Sequence, residues 1–185
     1  MVWTGLRWGE MAGLRIMDVD WLRRRIKVVG SATQDGARKD YPKSAKSRRE
    51  VPVPPHVMDL LAPLVRNRAG DARMFTSTRA GSPPWSAANW RKTWAAAVAA
   101  AGAPDYPPHA LRHTAASWLV QSGVELYDVQ ALLGHESYAT TARYSHLKPG
   151  EHAAVEDAWD RLAAQQRRTV ALAAGEIVPP HAQQP

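Results

Sequence analysis

Hydrophobic spacing divides the chain into helices around one β region. Residues 4–14 read as the start of a helix, with Thr4 as its cap and Met11 and Leu14 apolar on one side. Over residues 19–53 the period changes to two. Ile26 and Val28, then Val51 and Val53, alternate with polar positions as strands do. Between them the Gly- and Lys-rich stretch 30–48 reads as a long exposed hairpin. Pro54-Pro55 ends the β region, and Val57, Leu60, Leu61, Leu64 and Val65 predict a helix over 56–68. Residues 76–85 carry the Gly, Ser and Pro of a loop. Ser86 stands where it caps a helix running to Ala101, with Trp90, Trp94 and Val98 four apart and Gly102 as the stop. Pro107-Pro108 opens the next helix and Gly123 ends it. A short helix over 125–133 stops at Gly134, and another runs from Ser137 to Leu147. Residues 152–173 set Val155, Trp159 and Leu162 on one helix face.

These elements describe an α+β chain, mainly helical, with a small antiparallel β-sheet or hairpin. The expected division is a domain over 1–150, a C-terminal helix over 151–174 and a disordered tail over 175–185, rich in Pro and Gln. At 185 residues the chain is long enough to bury a sizeable core. No apolar run is long enough to span a bilayer, and the N-terminus lacks the pattern of a secretory signal. The absence of cysteine excludes disulfides and thiolate ligands and fits a cytoplasmic protein. A net charge of +7 points to a polyanionic partner, nucleic acid first.

The candidate chemistry lies in four places. His109 and Arg112 stand at i and i+3, on one helix face, with Leu111, Ala115, Trp118 and Leu119 as the expected packing side. From such a helix Arg112 could present its planar fork to a phosphate. Its neighbour His113 reads as a capped or solvated residue. Gly134 is the natural left-handed stop of its helix and turns His135 away from it. Tyr144 follows in the next helix. As a nucleophile its phenol needs help, because its ordinary pKa leaves it protonated at neutral pH, and cations and a neutral imidazole supply that help. His146 reads as structural or as a DNA contact. Taken singly, each pattern also fits an ordinary surface or core residue.

In their order these segments resemble the catalytic domain of the tyrosine recombinase, or phage integrase, family over roughly residues 3–150. TGLRWGE resembles the first arginine box, with Arg7 the arginine. PHALRHTAASWLVQSG resembles the His-x-x-Arg box, and LLGHESYATTARYSHL the closing box with His135 and Tyr144. PKSAKSRREVPVP resembles the hairpin bearing the family lysine, which points to Lys43, with Lys46 as the alternative.

The resemblance implies catalytic roles for Arg7, Lys43, His109, Arg112, His135 and Tyr144. Tyr144 would attack the scissile phosphate, leaving a 3′-phosphotyrosine and freeing a 5′ oxygen that Lys43 protonates. Arg7 and Arg112 would hold the non-bridging oxygens, and His109 and His135 would bond the phosphate and assist proton transfer. No cofactor or metal enters. Lys46, Arg48 and Arg49 are expected to meet DNA backbone phosphates. The partner is double-stranded DNA, with a homotetramer on DNA and a monomer when free. Family members carry further helices and a clamp domain before the Thr-Gly-Leu-Arg box, so the chain is expected to be incomplete at its N-terminus. An inactive remnant that only binds DNA is the alternative reading. A metal hydrolase built on His109, His113, His135 and His146 is the third, and it lacks an acidic ligand at suggestive spacing.

Overall fold

The computed structural model describes residues 1–42, 48–77, 83–103, 106–150 and 153–173. The chain divides into two compact units, the first Met1–Lys148 and the second beginning at Pro149. In the first unit, α1 spans Trp8–Gly13 and is followed by β1 (Val19–Asp20), β2 (Arg25–Val28), β3 (Gly30–Ala32), β4 (Arg38–Asp40) and β5 (Arg49–Pro52). Then come α2 (Pro55–Leu61), α3 (Ala87–Ala100), α4 (Ala110–Gln121), α5 (Leu126–Leu133) and α6 (Tyr138–Ala142). The second unit holds α7, Ala153–Ala173, where Val155, Trp159 and Leu162 form an exposed apolar stripe. No helix among the described residues is long and apolar enough to cross a membrane.

The period-two reading gives a real sheet. Strands β1, β2 and β5 pair antiparallel in that order, with Ile26 opposite Val51. Ile26, Val28, Val51 and Val53 are all buried, joined by Leu6, Met11, Leu14, Val19, Met58, Leu61 and Met74. The described part of the expected long exposed hairpin is partly packed. Its base is the β3–β4 pair, and β3 lies against α1. Two glycines one turn apart permit this approach. A Cβ on Gly9 would sit 2.8 Å from the Ala32 carbonyl oxygen, and one on Gly13 2.7 Å from the Ala32 nitrogen.

Several helices begin or end elsewhere than their spacing predicts. Gly5 takes φ +61 and Arg7 is extended, so α1 starts at Trp8 and Thr4 is buried rather than a cap. The helix predicted over 56–68 stops as an α-helix at Leu61. It continues as a 3-10 turn over Ala62–Val65, where Pro63 has no N–H to give. Leu60 and Leu64 are exposed. On α3 the Ser86 side chain accepts from the Asn89 N–H, as expected of that cap. On α4 the packed side is Arg112, Ala115, Ala116 and Val120, whereas Trp118 faces solvent. Ala116 and Val120 join Val129 and Leu133 of α5, and Tyr144, in a second core cluster. The helix expected over 137–147 is α6 alone, followed by a turn through Arg143 and Tyr144 and a 3-10 turn Ser145–Leu147.

Candidate active site

The site is built on the C-terminal end of α5. Gly134 ends this helix in the left-handed conformation, φ 65 and ψ 49. The last carbonyls of a helix lack partners inside it and carry the negative end of its dipole. Here three arginines supply the partners. Arg49 Nε donates to the Leu132 carbonyl (2.6 Å), Arg112 Nη2 to that of Leu133 (2.6 Å) and Arg7 Nη2 to that of Gly134 (2.9 Å). Arg112 Nη1 also donates to the Gly5 carbonyl at 2.5 Å. Gly5 is needed there, because a Cβ at that position would overlap Leu133 Cδ2. The two carbonyls thus take one N–H from each terminal nitrogen of Arg112, and each of those nitrogens carries a second N–H. Only 2% of Arg112 is exposed. Burial and the charge of Arg7 lower its pKa to about 10, so it stays cationic at neutral pH.

Glu10 holds two of these arginines in place. Its side chain is 1% exposed and its two oxygens accept from both terminal nitrogens of Arg49, each at 2.9 Å. It also accepts from the Arg7 backbone N–H at 2.8 Å and from Arg7 Nη1 at 3.1 Å. Burial alone would raise its pKa. The hydrogen bonds and charge of Arg49, then those of Arg7, outweigh burial and hold it below the usual carboxylate range.

This corrects the expectation for Arg49. Its side chain is 7% exposed and is committed to Glu10 and the end of α5, so it belongs to the interior rather than to a phosphate-facing surface. The basic stretch also loses Arg38 to the fold, through an ion pair with Asp18 at 3.0 Å and a bond to the Gly13 carbonyl. Arg48 remains exposed. Lys43 and Lys46 lie outside the described residues.

The histidines and the tyrosine gather beside the arginines. His135 follows Gly134 and its Nδ1 shares a hydrogen bond with the buried Thr141 hydroxyl, 2.8 Å away. Burial, then Arg112, Arg7, Arg143 and Arg49, lower its pKa to about 4, so its imidazole is neutral at pH 7. His109 is the residue before α4, and burial, His113 and three nearby arginines push its pKa down as well. Tyr144 is 9% exposed. Burial raises its phenol, while Arg143 and Arg112 act against that rise. Arg7, His109, Arg112, His135 and Tyr144 therefore share one electrostatic neighbourhood.

The sequence reading missed two residues. Glu10 stands at i+3 from Arg7, the spacing of a capping box, but its bonds to Arg49, 39 positions away, left no sequence signal. His113, read as solvated, bonds the Tyr144 hydroxyl through Nδ1. A signal for His113 did exist: it stands at i+4 from His109, and the two rings meet edge to face with centroids 4.8 Å apart. Among the described residues no group of three or more His, Asp or Glu side chains is arranged to hold a metal ion.

Comparison with known proteins identifies the family and the fold. The chain is 34% identical over 149 residues to tyrosine recombinase XerC of Bifidobacterium longum strain DJO10A, covering 78% of this chain and 40% of that protein. It is 35% identical over 162 residues to the XerC of Mycobacterium sp. strain KMS, covering 83% of this chain and 49% of that one. The chain thus spans under half the length of these two relatives. Among solved structures it resembles the Tn1549 transposon integrase bound to circular intermediate DNA. That match has a TM-score of 0.68 and 23% identity, over 87% of this chain and 57% of that one. The XerA recombinase resembles it with a TM-score of 0.62 and 24% identity, over 90% of this chain and 54% of that one. At these identities the structural matches establish the fold. The model of the phage integrase family matches residues 1–151, a span that contains Arg7, the His109–Arg112 pair, His135 and Tyr144, and the chain belongs to that family.

Proposed function

We propose that the chain is the strand-exchanging part of a site-specific DNA recombinase that works through a 3′-phosphotyrosine. The observation that carries this reading is the convergence of Arg7, Arg112, His135 and Tyr144 around the end of α5. Tyr144 Oη attacks the scissile phosphorus. Arg7 and Arg112 hold the non-bridging oxygens through N–H groups that their carbonyl partners have already aimed, which lowers the cost of reorganisation in the transition state. His109 and His135, neutral at pH 7, bond the phosphate and move protons. Lys43, or Lys46 in its place, protonates the leaving 5′ oxygen. The guanidiniums supply the charge that a metal would otherwise bring. The energy of the broken bond stays in the phosphotyrosine, so another 5′-hydroxyl can reverse the step.

The test is covalent capture. The chain is incubated with a nicked duplex library whose centre is randomised, and adducts that survive denaturation are recovered and sequenced. The expected result is an adduct of defined sequence that forms equally in EDTA. Recovery of tight but purely non-covalent complexes would favour the reading of a remnant that only binds DNA.

Lys46 and Arg48 are proposed to meet backbone phosphates, and four copies to assemble on paired duplexes from a monomeric free state. One stripe on α7 offers little area against the entropy of association, which supports the monomer. Titration of the captured sequence, followed by light scattering, tests both proposals. Neutralising Lys46 and Arg48 should flatten the log–log salt dependence by about two units. The scattering mass should rise to four protomers only with DNA. An unchanged slope or a tetramer without DNA contradicts the corresponding proposal.

A further inference from the structure

Tyr144 is a pinned residue. Its N–H donates to the Thr141 carbonyl at 3.0 Å, and its ring packs with Ala116, Val120, Val129 and Leu133. The hydroxyl is thereby directed to one place, and His113 Nδ1 stands there. The ring centroids are 6.0 Å apart and inclined by 42°, so the two side chains meet at their polar edges rather than by stacking. His113 is itself exposed on α4. An imidazole that takes a proton on one nitrogen can release one from the other to water. Charged or titratable groups near this pair, among the described residues, include His109, which precedes α4, Arg112 from α4 and Arg143 from the turn before Tyr144.

We propose that His113 is the proton acceptor for Tyr144, its Nδ1 taking the phenolic proton as Oη attacks phosphorus. This rests on the strand-exchange reading above. The Oη–P bond forms and the P–O5′ bond breaks. The phenolic proton ends on His113 as an imidazolium, and the leaving 5′ oxygen receives its proton from the lysine named above, Lys43 or Lys46. In rejoining, a 5′-hydroxyl gives its proton to the amine of that lysine and attacks phosphorus. Tyr144 then leaves and recovers its proton from His113. An acceptor is required because the buried phenol is protonated at neutral pH. His109, the imidazole that precedes α4, serves the phosphate in this arrangement.

Two measurements test the assignment. In the free chain, the 15N resonance of His113 Nδ1 should carry the shift of a hydrogen-bonded nitrogen and should move in Tyr144→Phe. No movement would mean that the contact does not exist in solution. On the captured duplex, His113→Asn places an amide where Nδ1 stood, which can bond the hydroxyl but cannot carry its proton. The rate of adduct formation should fall by roughly a hundred- to ten-thousandfold with non-covalent affinity unchanged. The remaining rate should climb about tenfold per pH unit as hydroxide supplies the phenolate, while the wild-type rate levels off across the neutral range. A wild-type rate in His113→Asn, or a loss with an unaltered pH profile, would reduce His113 to a tether and overturn the proposal. So would transfer of the altered profile to His109→Asn. If Tyr144→Phe still forms the adduct, the strand-exchange reading itself fails. If Tyr144→Phe abolishes the adduct and His113→Asn leaves its rate intact, only the proton-acceptor assignment fails.

Discussion

Glu10→Gln is expected to destabilise the native state by about 3–5 kcal/mol, measured as a lower urea midpoint with an unchanged slope. The substitution keeps the shape and removes the charge. Arg49, with a side chain 7% exposed, then keeps a buried guanidinium opposite a neutral amide. A native domain holds only about 5–15 kcal/mol in total, so this is a large fraction. The effect has a pH signature. The folded carboxyl is more acidic than the unfolded one, so near the carboxylate range the unfolded state binds more protons. Its stabilisation is fully present above the unfolded pKa and is lost as pH falls through the lower folded value. The gap between wild type and Glu10→Gln should therefore narrow as the medium is acidified. A gap under about 1 kcal/mol at neutral pH, typical of an exposed pair, would show that the Glu10–Arg49 interaction is not the buried anchor described here.

Arg112→Lys is expected to slow adduct formation on the captured duplex by on the order of a hundredfold or more, although the charge is conserved. The reason is shape. Arg112 reaches the Gly5 carbonyl at 2.5 Å with one nitrogen and the Leu133 carbonyl at 2.6 Å with the other. A lysine has one nitrogen on a flexible stem and cannot satisfy both carbonyls while offering a planar pair of donors to a phosphate. One carbonyl is left buried and unpaired, which costs about 1–3 kcal/mol of stability. The rate must therefore be compared at a temperature where both proteins are folded. A folded Arg112→Lys variant with an unchanged rate would remove Arg112 from transition-state stabilisation.

Local chemistry was legible in the sequence wherever one residue's backbone requirement sets the outcome. Gly134 ends α5, Ser86 caps α3, and Ile26, Val28, Val51 and Val53 define the sheet face, because each follows from conformational preference or a short period. The family boxes placed Arg7, Arg112, His135 and Tyr144 on the elements that now bring them together. Contacts between distant segments were not legible. Arg48 and Arg49 look alike as neighbours in a basic run, yet one is exposed and the other is turned inward by a carboxylate 39 positions away. On α4, Ala115 is buried and Leu119 packs against the core as expected, but Trp118 is exposed and Arg112 is interior, because a buried arginine with carbonyl partners does not resemble a core position. The helix expected through Tyr144 was broken after α6, where tertiary packing of the tyrosine ring overrides a weak local propensity.

The end of α5 also bears on how such a chain changes over time. Arg7, Arg49 and Arg112 are held there by carbonyl oxygens, and every residue type carries a carbonyl. Comparison of related chains should therefore find no side chain at 132–134 that co-varies with these arginines as a polar partner. What is inherited is the register. Each residue of an α-helix advances the backbone by about 100°, so one codon added to or removed from α5 would turn three carbonyls away from three arginines at once. Length is the constrained trait of this helix, and insertions and deletions should be rarer within it than in the loops on either side.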